Sequence, residues 1–338
     1  MQSPTIVFTK KDTAELLPLD VKPLGENDVL IEVAYTTISN GTERANVGGD
    51  PNVSVNDNNT EAHFPRICGY SAAGIVKEVG AAVSTVKPGD RVVGAWGKHT
   101  KYSVLPEKNV HLIESEKTSL QAASMALIGT FPMSALRKCR LEFGESGMVM
   151  GLGILGQIAI QLLRAAGAVP VIAVDPVAEK REIALKLGAD YAFDPTEEGF
   201  AQKVKEVTHG GVNVCVEVTG VARALDNALD CMARMGRVAL LGCTRHSDFM
   251  IDYYHKVHGP GIVLIGAHTM ARPKVESSAG LWTDHDDIMA LLRLHAAGRL
   301  NLDDLICEVH SPAECGEIFH RLVHEKNFPV VQFDWSQI

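Results

Sequence analysis

Gly151-Leu152-Gly153-Ile154-Leu155-Gly156 follows directly on the apolar run Met148-Val149-Met150 and opens a segment, Gln157 to Ala166, with helical periodicity. The next apolar run, Val169 to Val174, ends in an acid, Asp175, about 20 residues beyond the last glycine. Three glycines at this spacing carry little information alone. Strand, glycine loop, helix, strand and terminal acid in this order predict a dinucleotide site. The first glycine permits the tight turn, the second lets backbone approach a pyrophosphate, and the third lets the helix pack on the strand. The N-terminus of that helix, from Ile154 and Leu155, offers free N–H groups and a positive dipole end to phosphate. Asp175 would accept hydrogen bonds from ribose hydroxyls and repel a 2′-phosphate, which predicts NAD over NADP. Lys180 and Arg181 follow it closely and read either as solvated helix charges or as cations that soften the preference for NAD.

Working outward, residues from about 118 alternate helix and strand. Strands are expected at 148–152, 170–175, 191–194, 213–218, 237–241 and 261–266, with helices over 120–138, 154–166, 178–188, 197–207 and 221–234. Six apolar strands separated by helices predict an α/β fold, a doubly wound parallel sheet covered on both faces. Before it, short runs such as 29–35, 73–80, 91–93 and 102–106, punctuated by Gly and Pro, read as a small barrel-like β domain. Residues 48–60, rich in Gly, Asp and Asn, read as a surface loop of the kind that serves as lid or specificity element. After 268 a helix over 284–297, a strand near 305–309, a helix over 313–325 and a strand over 329–333 close the chain.

The bulk numbers exclude some classes of function. The 338 residues suit two domains, and 46% are hydrophobic, enough for buried cores. A net charge of −9 and a pI near 5.8 give no basic footprint for nucleic acid. No apolar run reaches the 18 residues of a membrane span, and Met1-Gln2-Ser3-Pro4 does not begin a signal peptide. Seven dispersed cysteines without a C-x-x-C pair suit a reducing cytoplasm.

The chain resembles the medium-chain dehydrogenase/reductase superfamily nearly end to end. The marks are Lys87-Pro88-Gly89-Asp90-Arg91-Val92, the glycine loop, Glu217-Val218-Thr219-Gly220, Gly236-Arg237-Val238 and Gly69-Tyr70-Ser71-Ala72-Ala73-Gly74-Ile75-Val76. The resemblance implies a GroES-like catalytic domain over 1–126, a Rossmann NAD-binding domain over 127–268 and a return to the catalytic domain over 269–338. It also departs from the zinc enzymes of that family. Asn40 stands in place of the metal-binding cysteine, Tyr70 in place of the histidine, and the third ligand position falls near Ala126. Asparagine, tyrosine and alanine are not the thiolate, imidazole or carboxylate donors that zinc takes. The four-cysteine structural lobe is absent as well, so the expectation is a zinc-lacking branch with no metal.

The expected activity is therefore zinc-independent hydride transfer between NAD(H) and a secondary alcohol or its ketone, with a sugar or polyol derivative as substrate. The polar groups expected at the reacting centre are Asn40, Thr42, Tyr70 and Glu43. Those expected along the cofactor are Thr130, Gly151, Gly153, Ile154, Leu155, Gly156, Asp175, Thr219, Gly242, Cys243, Gly266, Ala267 and His268, mostly at carboxyl ends of strands. His99 and the cluster Tyr253 to His258 read as structural or as proton shuttles. Two rivals stay open: an NADPH-dependent reductase of quinones or activated C=C bonds, and a non-catalytic NAD(H)-binding protein. A homodimer or homotetramer is expected, with the last sheet strand, 261–266, pairing across two subunits.

Overall fold

The computed structural model describes residues 1–54, 61–245 and 249–338; the rest of the expected loop at 48–60 lies outside them. The chain forms two compact units. One comprises Met1–Ile128, Ile288–Ala296 and Leu302–Ile338; the other comprises Gly129–Asp287 and Ala297–Asn301.

The first unit opens with a hairpin, β1 (Gln2–Lys10) and β2 (Thr13–Asp20), paired so that Ile6 faces Leu16. There follow β3 (Asp28–Thr37), helix α1 (Asn40–Val47), β4 (Ser71–Val79), β5 (Arg91–Ala95), β6 (Tyr102–Pro106), β7 (Val110–Leu112) and a short helix α2 (Leu120–Ala123). Branched residues alternate inward along β3, where Val29, Ile31 and Val33 are buried. That period-two pattern is what a half-buried strand requires.

In the second unit the order is α3 (Ala126–Cys139, entering from the first unit), β8 (Gly147–Met150), α4 (Ile154–Ala165), β9 (Val171–Val174), α5 (Ala178–Lys186), β10 (Tyr191–Phe193), α6 (Phe200–Val207), β11 (Val212–Glu217), α7 (Ala222–Cys231), β12 (Met232–Leu240) and β13 (Val263–Gly266). The sheet order is β10-β9-β8-β11-β12-β13, and every pairing is parallel. β8, β9 and most of β11 are buried along their length, as strands covered on both faces must be. The expected helix over 221–234 stops at Cys231, and β12 takes up the chain from Met232. The expected helix over 120–138 divides into α2 and α3, with Pro132 inside α3.

The return begins later than 269. Residues up to Asp287 count with the second unit, because the buried Arg272 donates to the Thr130 carbonyl at 2.9 Å and pairs with Asp287 and Asp284. Helix α8 (Asp284–Ala296) then carries the chain back, followed by β14 (Glu308–His310), α9 (Cys315–His324) and β15 (Val331–Asp334). β15 joins β3 antiparallel, giving the order β14-β15-β3-β4-β5-β7, with β6 also on β3. The core of the first unit is thus closed by late residues. Phe319 of α9 meets Phe8 edge-on at 4.8 Å and lies 5.9 Å from Phe333.

Around β14, Glu308 forms a two-pronged pair with Arg321 (2.8 and 3.0 Å), and this holds its carboxyl at about 2. His310 bonds Glu308 and Glu314, each at 2.8 Å. Burial pulls the His310 imidazole down, but the two carboxylates carry it above its ordinary 6.5. A pKa higher in the folded state than in the unfolded state stabilises fully below the unfolded value and is lost as pH rises through the folded one. Chemical denaturation at pH 6 and pH 8 is therefore expected to show wild type losing stability with rising pH, and His310→Gln losing less. Equal losses in the two proteins would refute this assignment.

Candidate active site

In the second unit the candidate cofactor residues gather at the carboxyl ends of five parallel strands. β8 runs into Gly151, whose φ of +99° is left-handed and whose N–H donates to the Val174 carbonyl at 2.8 Å. An L side chain is strained at that φ. The Leu152 N–H donates to one Asp175 oxygen at 2.8 Å and the Val177 N–H to the other at 2.9 Å. The acid at the end of β9 thus holds the glycine loop in place. Gly153 caps α4 without a side-chain bond, so the first-turn amides of Ile154, Leu155 and Gly156 have no partner within the helix.

The three glycines differ in what a methyl group would meet. At Gly156 it would lie 1.9 Å from the Gly151 carbonyl oxygen, so the fold itself forbids it. At Gly153 it would meet no protein atom within 4 Å, and the backbone there is ordinary for any residue. Gly153 has no reason within the protein to be glycine, and close approach of a pyrophosphate supplies one.

Farther along the sheet, Glu217 ends β11 and is buried. Burial raises its carboxyl, while the N–H groups of Thr219 (2.7 Å) and Gly220 (3.1 Å) and the Thr219 hydroxyl bond to it. The N–H groups of Leu241 and Gly242 both donate to the Glu217 carbonyl at 2.9 Å, fixing the end of β12 beside it. Gly242 packs against Gly220, and Cys243 is exposed. At the end of β13 the Gly266 carbonyl accepts from Lys138 at 3.0 Å, and Ala267 is buried. Burial, with the charges of Lys138 and Arg245, holds the His268 imidazole below its ordinary value. Thr130 is fully buried on α3, and its carbonyl is held by Arg272, a contact with no local signal in the sequence. Arg181 donates to the Asp175 carbonyl at 2.6 Å and pairs with Asp194 at 3.3 Å. It is therefore not a purely solvated charge.

In the first unit, Asn40, Thr42 and Glu43 share the first turns of α1. Asn40 Nδ2 donates to the carbonyls of Phe328 (3.1 Å) and Pro329 (3.2 Å). Its Oδ1 is buried with no hydrogen-bond partner among the described residues. The asparagine expected to touch substrate therefore braces α1 against the returning chain. Arg44 does likewise, donating to Leu322 (2.6 Å) and Glu325 (3.0 Å) carbonyls at the end of α9. Thr42 is half-buried on the same turn.

Glu43 is fully buried. Its Oε1 accepts from the Ser39 N–H at 3.0 Å, and its Oε2 bonds His99 Nε2 at 2.8 Å. His99 is equally buried and bonds Thr36 through Nδ1 at 2.7 Å, while Trp335 Nε1 donates to the Thr36 oxygen at 2.9 Å. The assignment that places every proton has the Thr36 hydroxyl donating to Nδ1 and the Nε2–H donating to Glu43. Glu43 thus has both oxygens engaged, one of them on the N–H of Ser39, the residue that caps α1, which suits a buried helix cap and anchor. Its partner lies 56 positions away, too far for any local motif to show. Tyr70 donates its hydroxyl to Ser39 Oγ, and its ring tilts against Trp96 at 5.6 Å. The Ser39 hydroxyl was likewise missed from sequence. Among the described residues no three His, Cys, Asp or Glu side chains are grouped to hold a metal ion.

Two family models match the chain: alcohol dehydrogenase GroES-like domain over residues 25–129, and zinc-binding dehydrogenase over 155–277. The chain belongs to the medium-chain dehydrogenase/reductase superfamily. It is 29% identical to L-threonine 3-dehydrogenase of Pyrococcus abyssi, with 87% of each chain covered. It is 26% identical to D-guloside 3-dehydrogenase of Shigella flexneri, covering 95% of this chain and 96% of that one. Galactitol-1-phosphate dehydrogenase from Escherichia coli superimposes with a TM-score of 0.83 at 18% identity, over 99% of this chain and all of that one. This superfamily member is an alcohol dehydrogenase-like oxidoreductase that uses a nicotinamide dinucleotide.

Proposed function

We propose that the chain transfers hydride between NAD(H) and a secondary alcohol or its ketone without zinc, with a sugar or polyol derivative as substrate. The observation that carries the zinc-free part is the donor set. Asn40 offers only a neutral amide oxygen, Tyr70 a hydroxyl that donates to Ser39, and Ala126 no donor atom. None of the three suits zinc. The buried Asp175 carboxylate supports NAD, because a 2′-phosphate beside it would meet like charge. The guloside and galactitol-phosphate relatives support a polyhydroxylated substrate.

When bound, the nicotinamide supplies or accepts the hydride. The chain orients and moves protons. The Thr42 hydroxyl can donate to or accept from a substrate hydroxyl, and Ser39 receives the Tyr70 hydroxyl. Ser39 is fixed in turn by its N–H bond to Glu43. Exposed Val263 and Leu264 on the edge strand β13 support pairing with a second copy. No helix among the described residues is long and apolar enough to cross a membrane, and the free cysteines support a cytoplasmic home.

The test combines fluorescence titration with NADH and NADPH and a turnover panel of polyols and sugars. The expected result is tighter binding of NADH, turnover on polyols with NAD, and activity unchanged by chelators. Chelator-abolished activity would overturn the zinc-free reading, and preference for NADPH would overturn the choice of coenzyme.

A further inference from the structure

We propose that His320 and His324 form a two-imidazole site for a divalent transition-metal ion on the exposed face of α9. The sequence His320-Arg321-Leu322-Val323-His324 places the two rings one helical turn apart. Their centroids are 4.4 Å apart with planes inclined at 49°. Both residues are exposed, and neither ring has a hydrogen-bond partner among the described residues. Several buried or ion-paired imidazoles are engaged instead: His99 is held by Thr36 and Glu43, His295 by Thr118 and Asp303, and His310 by Glu308 and Glu314.

The scaffold beneath the pair is rigid. Ile318, Phe319 and Leu322 on the opposite face of α9 are buried in the core of the first unit. Two ligands fixed on a packed helix lose little freedom on binding, so the second imidazole acts as an intramolecular donor at high effective concentration. The electrostatics also favour a cation. The pair sits on the last two turns of α9, at the negative end of its dipole. The one intervening cation, Arg321, is neutralised by Glu308 and Glu325. Glu317, exposed one turn earlier on the same face, adds negative charge. Imidazole pairs select copper, nickel and zinc over magnesium and calcium, with water completing the coordination.

The experiment is calorimetric titration of the full chain with nickel and zinc, and electron paramagnetic resonance with copper(II). Wild type is expected to bind one ion per chain in its tightest class, with two-nitrogen coordination of copper and no competition from magnesium. His320→Ala and His324→Ala are each expected to weaken binding at least about tenfold. Both variants should keep wild-type thermal unfolding in the absence of metal. Wild-type affinity in either variant, or no such class in wild type, would overturn the proposal. The readout also separates this site from the catalytic question. Zinc that co-purifies with wild type, is lost in both variants and leaves turnover unchanged belongs to α9. Zinc that persists in both variants contradicts the assignment.

Discussion

Replacing His99 by alanine is expected to destabilise the first unit by about 3–5 kcal/mol. His99 is fully buried between two partners, Thr36 at 2.7 Å and Glu43 at 2.8 Å. Alanine leaves the Glu43 carboxylate out of water with only the Ser39 N–H, and it opens a cavity beside Phe319 and Phe333, whose rings stand 6.1 and 5.6 Å from the imidazole. Breaking one side of a buried pair costs more than the pair itself contributes, because the remaining group stays desolvated. The expected fall in Tm is roughly 10 °C. His99→Gln can still donate to Glu43 and should recover part of the loss. A His99→Ala protein within about 1 kcal/mol of wild type in urea would show that the pair carries no such weight. His99 acts on the candidate site only through other residues. It holds Glu43, Glu43 holds the Ser39 backbone, and Ser39 receives the Tyr70 hydroxyl. It is a positioning residue, so the glutamine variant should restore turnover in step with stability.

The difference between what the sequence revealed and what it concealed follows the range of each interaction. The parallel sheet was legible because each buried strand is a local apolar run and each helix a local periodicity. Glycine spacing and Asp175 marked the loop for the same reason. The β1–β2 hairpin was hidden by Pro4 and Pro18, which sit opposite each other and lack the donors that a strand reading expects. The end of α7 was misjudged because nothing in Ala222 to Arg234 punctuates a helix; the pairing of β12 with β11 decides it. In the candidate site, the unusual residues Asn40 and Tyr70 were visible by contrast with a family pattern. Their use was not. Asn40 spends its amide on carbonyls 288 and 289 positions away, and Arg272 reaches Thr130 over 142 positions. Hydrogen bonds at such separations have no periodicity, and only the assembled fold shows them.

The glycine loop yields a pair of substitutions with opposite expected outcomes. Gly156→Ala places a methyl group 1.9 Å from the Gly151 carbonyl oxygen and 2.9 Å from its carbon. Both are backbone atoms held by the loop, so relief requires α4 to move away from β8. The expected cost is about 3 kcal/mol or more, seen as early thermal unfolding without any ligand. Gly153→Ala meets nothing within 4 Å at a φ of −71° that alanine adopts freely. Its stability should match wild type within about 0.5 kcal/mol, or rise slightly as the unfolded chain loses freedom. Its affinity for NADH should nevertheless fall at least about tenfold, since the methyl group stands where a pyrophosphate must approach the backbone. Thermal melts with and without NADH separate the two effects: Gly156→Ala melts early in either case, whereas Gly153→Ala melts normally but gains nothing from the dinucleotide. A Gly153→Ala protein that binds NADH as wild type does would mean that this open position is not reserved for a ligand, and the assignment of the loop to a dinucleotide would then lose its main structural support.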